Sequence, residues 1–203
     1  MTRVLSGWLR FSWPLLVLLL LLWVFLGNEA QVAAFFREHR EAHPGLQSVL
    51  RFVTDWANPP FYVVYAWILW RGWREKRPDL VRLALAYVVV QVGVAVLAVH
   101  GLKMLIGRPR PGAGASFAPL TTDPGHHSMP SGHTTEITGA ALPLGLRSRR
   151  RITLLLLGLL AALTGFSRIY LGWHHPSDVF FGWLLGSVAG LAIHLLAHRD
   201  SHA

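Results

Sequence analysis

The sequence has no cysteine. Disulfides, thiolate metal sites and cysteine nucleophiles are therefore excluded. Charge is also scarce. Only 14% of the 203 residues are Asp, Glu, Lys or Arg, and acidic residues number 10 against 19 basic ones. So few carboxylates leave no acidic cluster of the kind that binds a hard divalent cation. There is no internal repeat, and no low-complexity tract beyond a leucine run in the first apolar segment. What the chain has instead is hydrophobic mass: 53% apolar residues, nine Trp and a mean hydropathy of +0.41. That is too apolar for an ordinary soluble domain and fits a small multi-span membrane protein. A formal charge of +9 would suggest nucleic acid in a soluble protein. Here the cations sit in short clusters between apolar runs, the pattern that orients membrane spans, and no nucleic-acid partner is expected.

Six apolar segments can be read as spans: 8–27, 59–73, 80–102, 130–146, 152–166 and 179–197. The first is read as a retained anchor rather than a signal peptide, although Ala30, Ala33 and Ala34 follow it, because the run is long for a signal core. The second is short for about 30 Å of hydrocarbon. Leu46, Val49, Leu50 and Val53 recur at helical spacing, so 29–58 is expected to include an amphipathic helix on the outer surface. Residues 111–129 form an outer loop rich in Gly, Pro and Thr. The N-terminus, the 71–82 turn, the turn with Arg147, Arg149, Arg150 and Arg151, and the C-terminus near Arg199 are basic and fall on one side, read as cytoplasmic. Lys103, Arg108, Arg110 and Arg168 fall on the other side. They break that rule, so something besides topology must account for them.

These cations share their depth with His133, His174 and Asp178. The stretch 167–178 alone has two readings, a functional cluster or an interfacial loop with polar residues. The convergence of three distant clusters favours the first. Pro176 and Ser177 suit a helix start, with Ser177 as N-cap and Asp178 in the first turn. His174 lies four residues before Asp178, close enough for the carboxylate to hold one ring nitrogen and leave the other free as nucleophile or base. One lysine and up to three arginines suggest an anion site, since guanidinium groups match phosphate oxygens. Pro130-Ser131-Gly132 at a helix start adds backbone N–H groups aimed at the same point. Two histidines around a phosphate can divide the work, one attacking phosphorus and one protonating the leaving oxygen. No metal is expected, because four nearby cations would repel one. His126 and His127 are read as loop residues; His100 and His194 as structural. Glu136, one turn below His133, is read as a structural hydrogen-bond partner or a secondary site group.

Lys103 with six residues then Arg110-Pro111, Pro130-Ser131-Gly132-His133, and Ser167-Arg168 with five residues, His174, three residues and Asp178 resemble the three-part signature of the type-2 phosphatidic acid phosphatase superfamily. The resemblance implies that His174 is the nucleophile forming a phosphohistidine, oriented by Asp178, and that His133 is the general acid. It implies phosphoryl contacts from Lys103, Arg110, Arg168, Ser131 and the Gly132 amide. Arg108 lies inside the first motif but outside its fixed positions. The expectation is one all-α domain over 1–203, a six-span bundle with both termini cytoplasmic in a bacterial inner membrane and its site facing outward. It would be a lipid phosphatase without metal or other cofactor. Its substrate would be undecaprenyl diphosphate or phosphatidylglycerol phosphate, met in the bilayer. Lipid A phosphatase, lipid phosphotransferase and non-catalytic anionic-lipid transporter are the rival readings.

Overall fold

The computed structural model describes residues 2–148 and 150–198, which are helical with no strand among them. Arg149 and Arg199 of the basic ends lie outside the described residues. Helix α1 (Thr2–Leu26) is followed by α2 (Glu29–Ala42), α3 (Pro44–Trp56) and α4 (Pro59–Arg74). Next, α5 (Pro78–Gln91) runs through a π-helical segment at Val92–Ala98 into α6 (Val99–Ile106), making one continuous rod. The last three are α7 (Gly132–Arg147), α8 (Arg151–Tyr170) and α9 (Pro176–Ala197). Among the described residues, α1, the α5–α6 rod, α8 and α9 are long and apolar enough to cross a membrane. At 1.5 Å per residue, the 16 residues of α4 and of α7 span only about 24 Å.

Helix α7 is the axis of the bundle. Ten of its residues are buried, so it is enclosed by neighbours rather than presented to lipid. Its tightest partner is α9, where Gly182, Gly186 and Gly190 repeat every fourth residue. A Cβ on Gly182 would lie 2.6 Å from the Ser131 carbonyl oxygen, and one on Gly186 would lie 2.5 Å from that of Thr135. This small-residue stripe lets the two backbones touch, which is how helices associate where water offers no driving force. It also fixes the start of α9 beside the start of α7. Gly158 of α8 meets the Phe11 carbonyl of α1 in the same way. The outer surface is apolar: Trp23, Phe25, Val63, Val89 and Val188 are all exposed. A water-soluble domain would bury such groups, and a bilayer would cover them.

The 29–58 connector holds two helices, and Leu46, Val49, Leu50 and Val53 all lie on the second. His43 ends α2, and Pro44 starts α3 at the position where a missing N–H costs nothing. Both pack against α8. Helix α8 also runs past the expected end at 166, so Arg168 stands on its last turn. The N-cap of α9 is His175, not Ser177; Pro176 takes the first helical position and Asp178 the third. The expected cap was two residues late because proline suits the first helical position rather than the cap.

Candidate functional site

The ends of α6, α7, α8 and α9 and the 107–131 loop meet at one end of the bundle. Gly107 closes α6 in the left-handed conformation (φ 59°), which reverses the chain toward Arg108. The loop is tied back by backbone bonds: Leu120 N to Met104 O (2.7 Å), Arg110 N to Gly125 O (2.8 Å) and Ser128 N to Arg108 O (3.1 Å). Arg108, Arg110 and Ser128 are therefore held against the helix ends.

Asp178 is the best-connected group. It is fully buried, and Arg108 Nη1 donates to its Oδ1 at 2.6 Å. Its Oδ2 accepts from Ser128 Oγ at 2.5 Å and from the His175 N–H at 2.8 Å, the latter closing the α9 cap. Arg108 also donates to Ser177 Oγ (2.6 Å) and to the Glu29 carboxylate. Glu29 in turn accepts from the Ser177 N–H at 3.0 Å. Burial would raise the Glu29 pKa, but the Ser177 and Arg108 contacts outweigh it and hold the group below its ordinary value. Arg108 thus bridges the Asp178 and Glu29 carboxylates and the Ser177 hydroxyl.

His174 is buried in the short α8–α9 connection, with its backbone N–H on the Arg168 carbonyl. Its Nδ1 faces Asp178 Oδ2 at 3.7 Å. That is an electrostatic contact and not a hydrogen bond. The carboxylate was expected to hold the ring nitrogen directly; instead its hydrogen bonds are with Arg108, Ser128 and the His175 amide. Burial, with help from Arg168 and Lys103, pushes the His174 pKa down to about 4 against the opposing pull of Asp178. The imidazole is therefore neutral at pH 7.

The cations surround this ring. Arg168 is buried, bonded to Thr54 Oγ1 (3.2 Å) and stacked on the Trp173 ring at 4.3 Å, with its Nε buried and unpartnered. Arg110 is anchored by the carbonyls of Pro124 (3.1 Å) and Trp173 (3.0 Å), and burial lowers its pKa. A Cβ on Gly132 would come within 3.9 Å of Lys103 Nζ, so the lysine stands at the amino end of α7. His133, in the first turn of α7, lies within electrostatic reach of Arg168, His174, Lys103 and Arg110. The Ser131 hydroxyl pairs with Thr134 Oγ1 (2.9 Å), and the Ser131 amide is bonded to the Asp178 carbonyl (2.9 Å). Of the ten singled-out residues, Lys103, Arg110, Arg168 and His174 gather around His133, with Gly132 beside Lys103. Asp178 and Arg108 stand behind His174, Ser131 is turned into its own helix, and Glu136 points away. Glu136 accepts from Asn58 Nδ2 (3.0 Å) and from the Tyr62 hydroxyl, on the α4 side. His126 is paired with Asp123 in the loop.

Sequence reasoning did not single out Glu29, Thr54, Ser128 or Trp173. Glu29 and Thr54 come from the outer helices, and no local pattern links them to residues over a hundred positions away. Trp173 lies next to His174, and its neighbourhood was the available signal.

A family model described as "PAP2 superfamily" matches residues 80–201, which hold all three motifs. The chain belongs to the PAP2 superfamily. An undecaprenyl-diphosphatase of Bacillus subtilis, BcrC, is 31% identical over 147 residues, covering 71% of this chain and 72% of its own. A decaprenylphosphoryl-5-phosphoribose phosphatase of Mycobacterium tuberculosis is 35% identical over 120 residues, 59% of this chain; the match spans 62% of that relative's length. A lipid A 4'-phosphatase of Bacteroides thetaiotaomicron is 27% identical over 150 residues, 69% of this chain and 64% of the relative. The crystal structure of a transmembrane PAP2-type phosphatidylglycerolphosphate phosphatase from Bacillus subtilis superposes with a TM-score of 0.65. It covers 100% of this chain and 99% of its own at 23% identity, so the PAP2 membrane fold extends over the whole chain.

Proposed function

We propose that this PAP2 protein is a lipid phosphatase that works through a phosphohistidine on His174. The observation that carries the reading is a buried His174 within electrostatic reach of Lys103, Arg168 and His133, with its Nδ1 3.7 Å from Asp178 Oδ2. With Nδ1 toward Asp178, Nε2 is the atom left to attack phosphorus. The P–N bond forms as the P–O bond to the lipid breaks, and His133 gives a proton to the leaving oxygen. Water then attacks the phosphohistidine with His133 as base, releasing inorganic phosphate and restoring both rings. The cations and the Gly132 amide stabilise the charge on the three equatorial oxygens as it moves. Arg108 and Asp178 position His174.

An isoprenoid phosphate or diphosphate is the preferred substrate class, because two of the relatives above are named for polyprenyl carriers. Phosphatidylglycerol phosphate and lipid A are the other candidates. The reading includes six spans, with α4 and α7 crossing beside the four longer helices, both ends on the cytoplasmic side of an inner membrane and the site outside. It also includes independence of metal. A panel of these lipids given to the purified protein, with and without a chelator and a lipid acceptor, tests it. Phosphate release from a prenyl diphosphate in chelator is expected. Loss of activity in chelator with recovery on zinc or magnesium refutes metal independence, and transfer to the acceptor in place of phosphate release shows a phosphotransferase.

A further inference from the structure

At the opposite end of the bundle, a cavity of about 510 Å³ opens between the start of α1, the end of α7 and the start of α8. Its walls carry Arg3, Arg10, Arg150 and Arg151, and no acidic residue lines it. None of these four arginines has a carboxylate partner among the described residues, whereas Arg71 pairs with Glu75, and Arg77 and Arg147 both pair with Asp79. The floor is packed: a Cβ on Gly7 would come within 2.5 Å of Leu146 Cδ2, and Leu154 closes the other side. Arginines that served only to orient the spans would need neither a cavity nor a lining without carboxylates. Lipid-facing side chains begin at once on the same two helices, with Leu5, Leu9 and Ile152 all exposed. The ligand must therefore combine an anionic head with an apolar body.

We propose that this cavity binds the headgroup of an acidic phospholipid, its phosphate between Arg3 and Arg10 on one side and Arg150 and Arg151 on the other. The acyl chains then lie along α1 and α8 in the bilayer. Basic pockets between membrane helices hold such headgroups by summed attraction and by guanidinium geometry. This site is separate from the His174 cluster, so its occupancy does not depend on the reaction proposed there.

The test is native mass spectrometry of the full chain, purified in detergent and mixed with equal phosphatidylglycerol and phosphatidylcholine. Wild type is expected to retain phosphatidylglycerol preferentially. Arg150→Gln/Arg151→Gln should weaken that retention by roughly 25-fold, at about fivefold per arginine. Arg71→Gln/Arg74→Gln, at another basic turn, should leave it unchanged, and so should His174→Ala, which reports on the motif end. An unchanged melting temperature of the Arg150/Arg151 variant excludes misfolding as the cause. If that variant does not fold, Arg3→Gln/Arg10→Gln reads the same site and should show the same loss. No preference for phosphatidylglycerol, equal losses at the two basic turns, or displacement by millimolar glycerol phosphate would each overturn the proposal. The last would mark a site for soluble anions.

Discussion

Arg108→Ala separates an anion ligand from a positioning group at a place where the motif alone could not decide. The guanidinium bridges Asp178 and Glu29 and caps Ser177 Oγ, with the arginine side chain 13% exposed and Asp178 0%. Removing one partner of a buried pair costs about 3–5 kcal/mol, and the residual exposure of Arg108 argues for the lower end. At about 3 kcal/mol, a chain of this size should lose roughly 6–12 °C in melting temperature. Asp178 would keep Ser128 and the His175 amide but drift, and His174 with it. A displacement near 1 Å can cost on the order of 100-fold in kcat. The anion contacts assigned to Lys103, Arg110 and Arg168 remain, so the inhibition constant for orthophosphate should change by less than about threefold. Losing a direct charged hydrogen bond would instead cost about 1.5–3 kcal/mol, more than tenfold. Steady-state kinetics with phosphate as inhibitor, alongside thermal melts, reads both quantities. An unchanged melting temperature with a more than tenfold weaker phosphate affinity would refute the bridging role.

Three further outcomes follow from the same geometry. His133→Ala should cost roughly 100- to 10,000-fold in kcat/KM on a lipid monophosphate and far less on an aryl phosphate, whose leaving group needs no proton, while His174→Ala should abolish both; equal losses for His133→Ala would remove its acid role. Because His174 must be neutral to attack and its pKa lies near 4, kcat/KM corrected for substrate ionisation should hold as pH falls to about 5 and drop only below that; an acid limb near 6.5 would contradict the buried, cation-flanked ring. An impermeant thiol reagent on intact cells should label Ala113→Cys in the outer loop and spare Ser148→Cys, and the reverse pattern would invert the proposed orientation.

The legible part of the site was the part written in short-range spacing. Motif residues sit where helices begin and end, and charges between apolar runs mark those ends, so Lys103, His133 and His174 could be placed at a common depth. Proline marked the helix starts at 59 and 176, whereas the breaks at 44, 78 and 107 came only from the structure. What spacing could not show is how polar groups partition once they are buried together. Asp178 takes Arg108, Ser128 and the His175 amide at hydrogen-bond distance, while His174 stays at 3.7 Å. That outcome depends on Glu29 and on the folded loop, neither of which is near 178 in the chain. The same limit applies to α7. Its 16 residues carry four threonine or glutamate side chains, and its enclosure by α1, α5, α8 and α9 is a tertiary fact that spacing does not show.

The proposed chemistry passes through a covalent phosphoryl intermediate on His174. Rapid acid-free quenching of the protein with a lipid substrate carrying ³²P in the scissile phosphoryl group, followed by peptide mapping, tests it directly. Label is expected on His174, stable to base and lost in acid, present in wild type and absent from His174→Ala. Turnover by His174→Ala, or label on another residue, would contradict it.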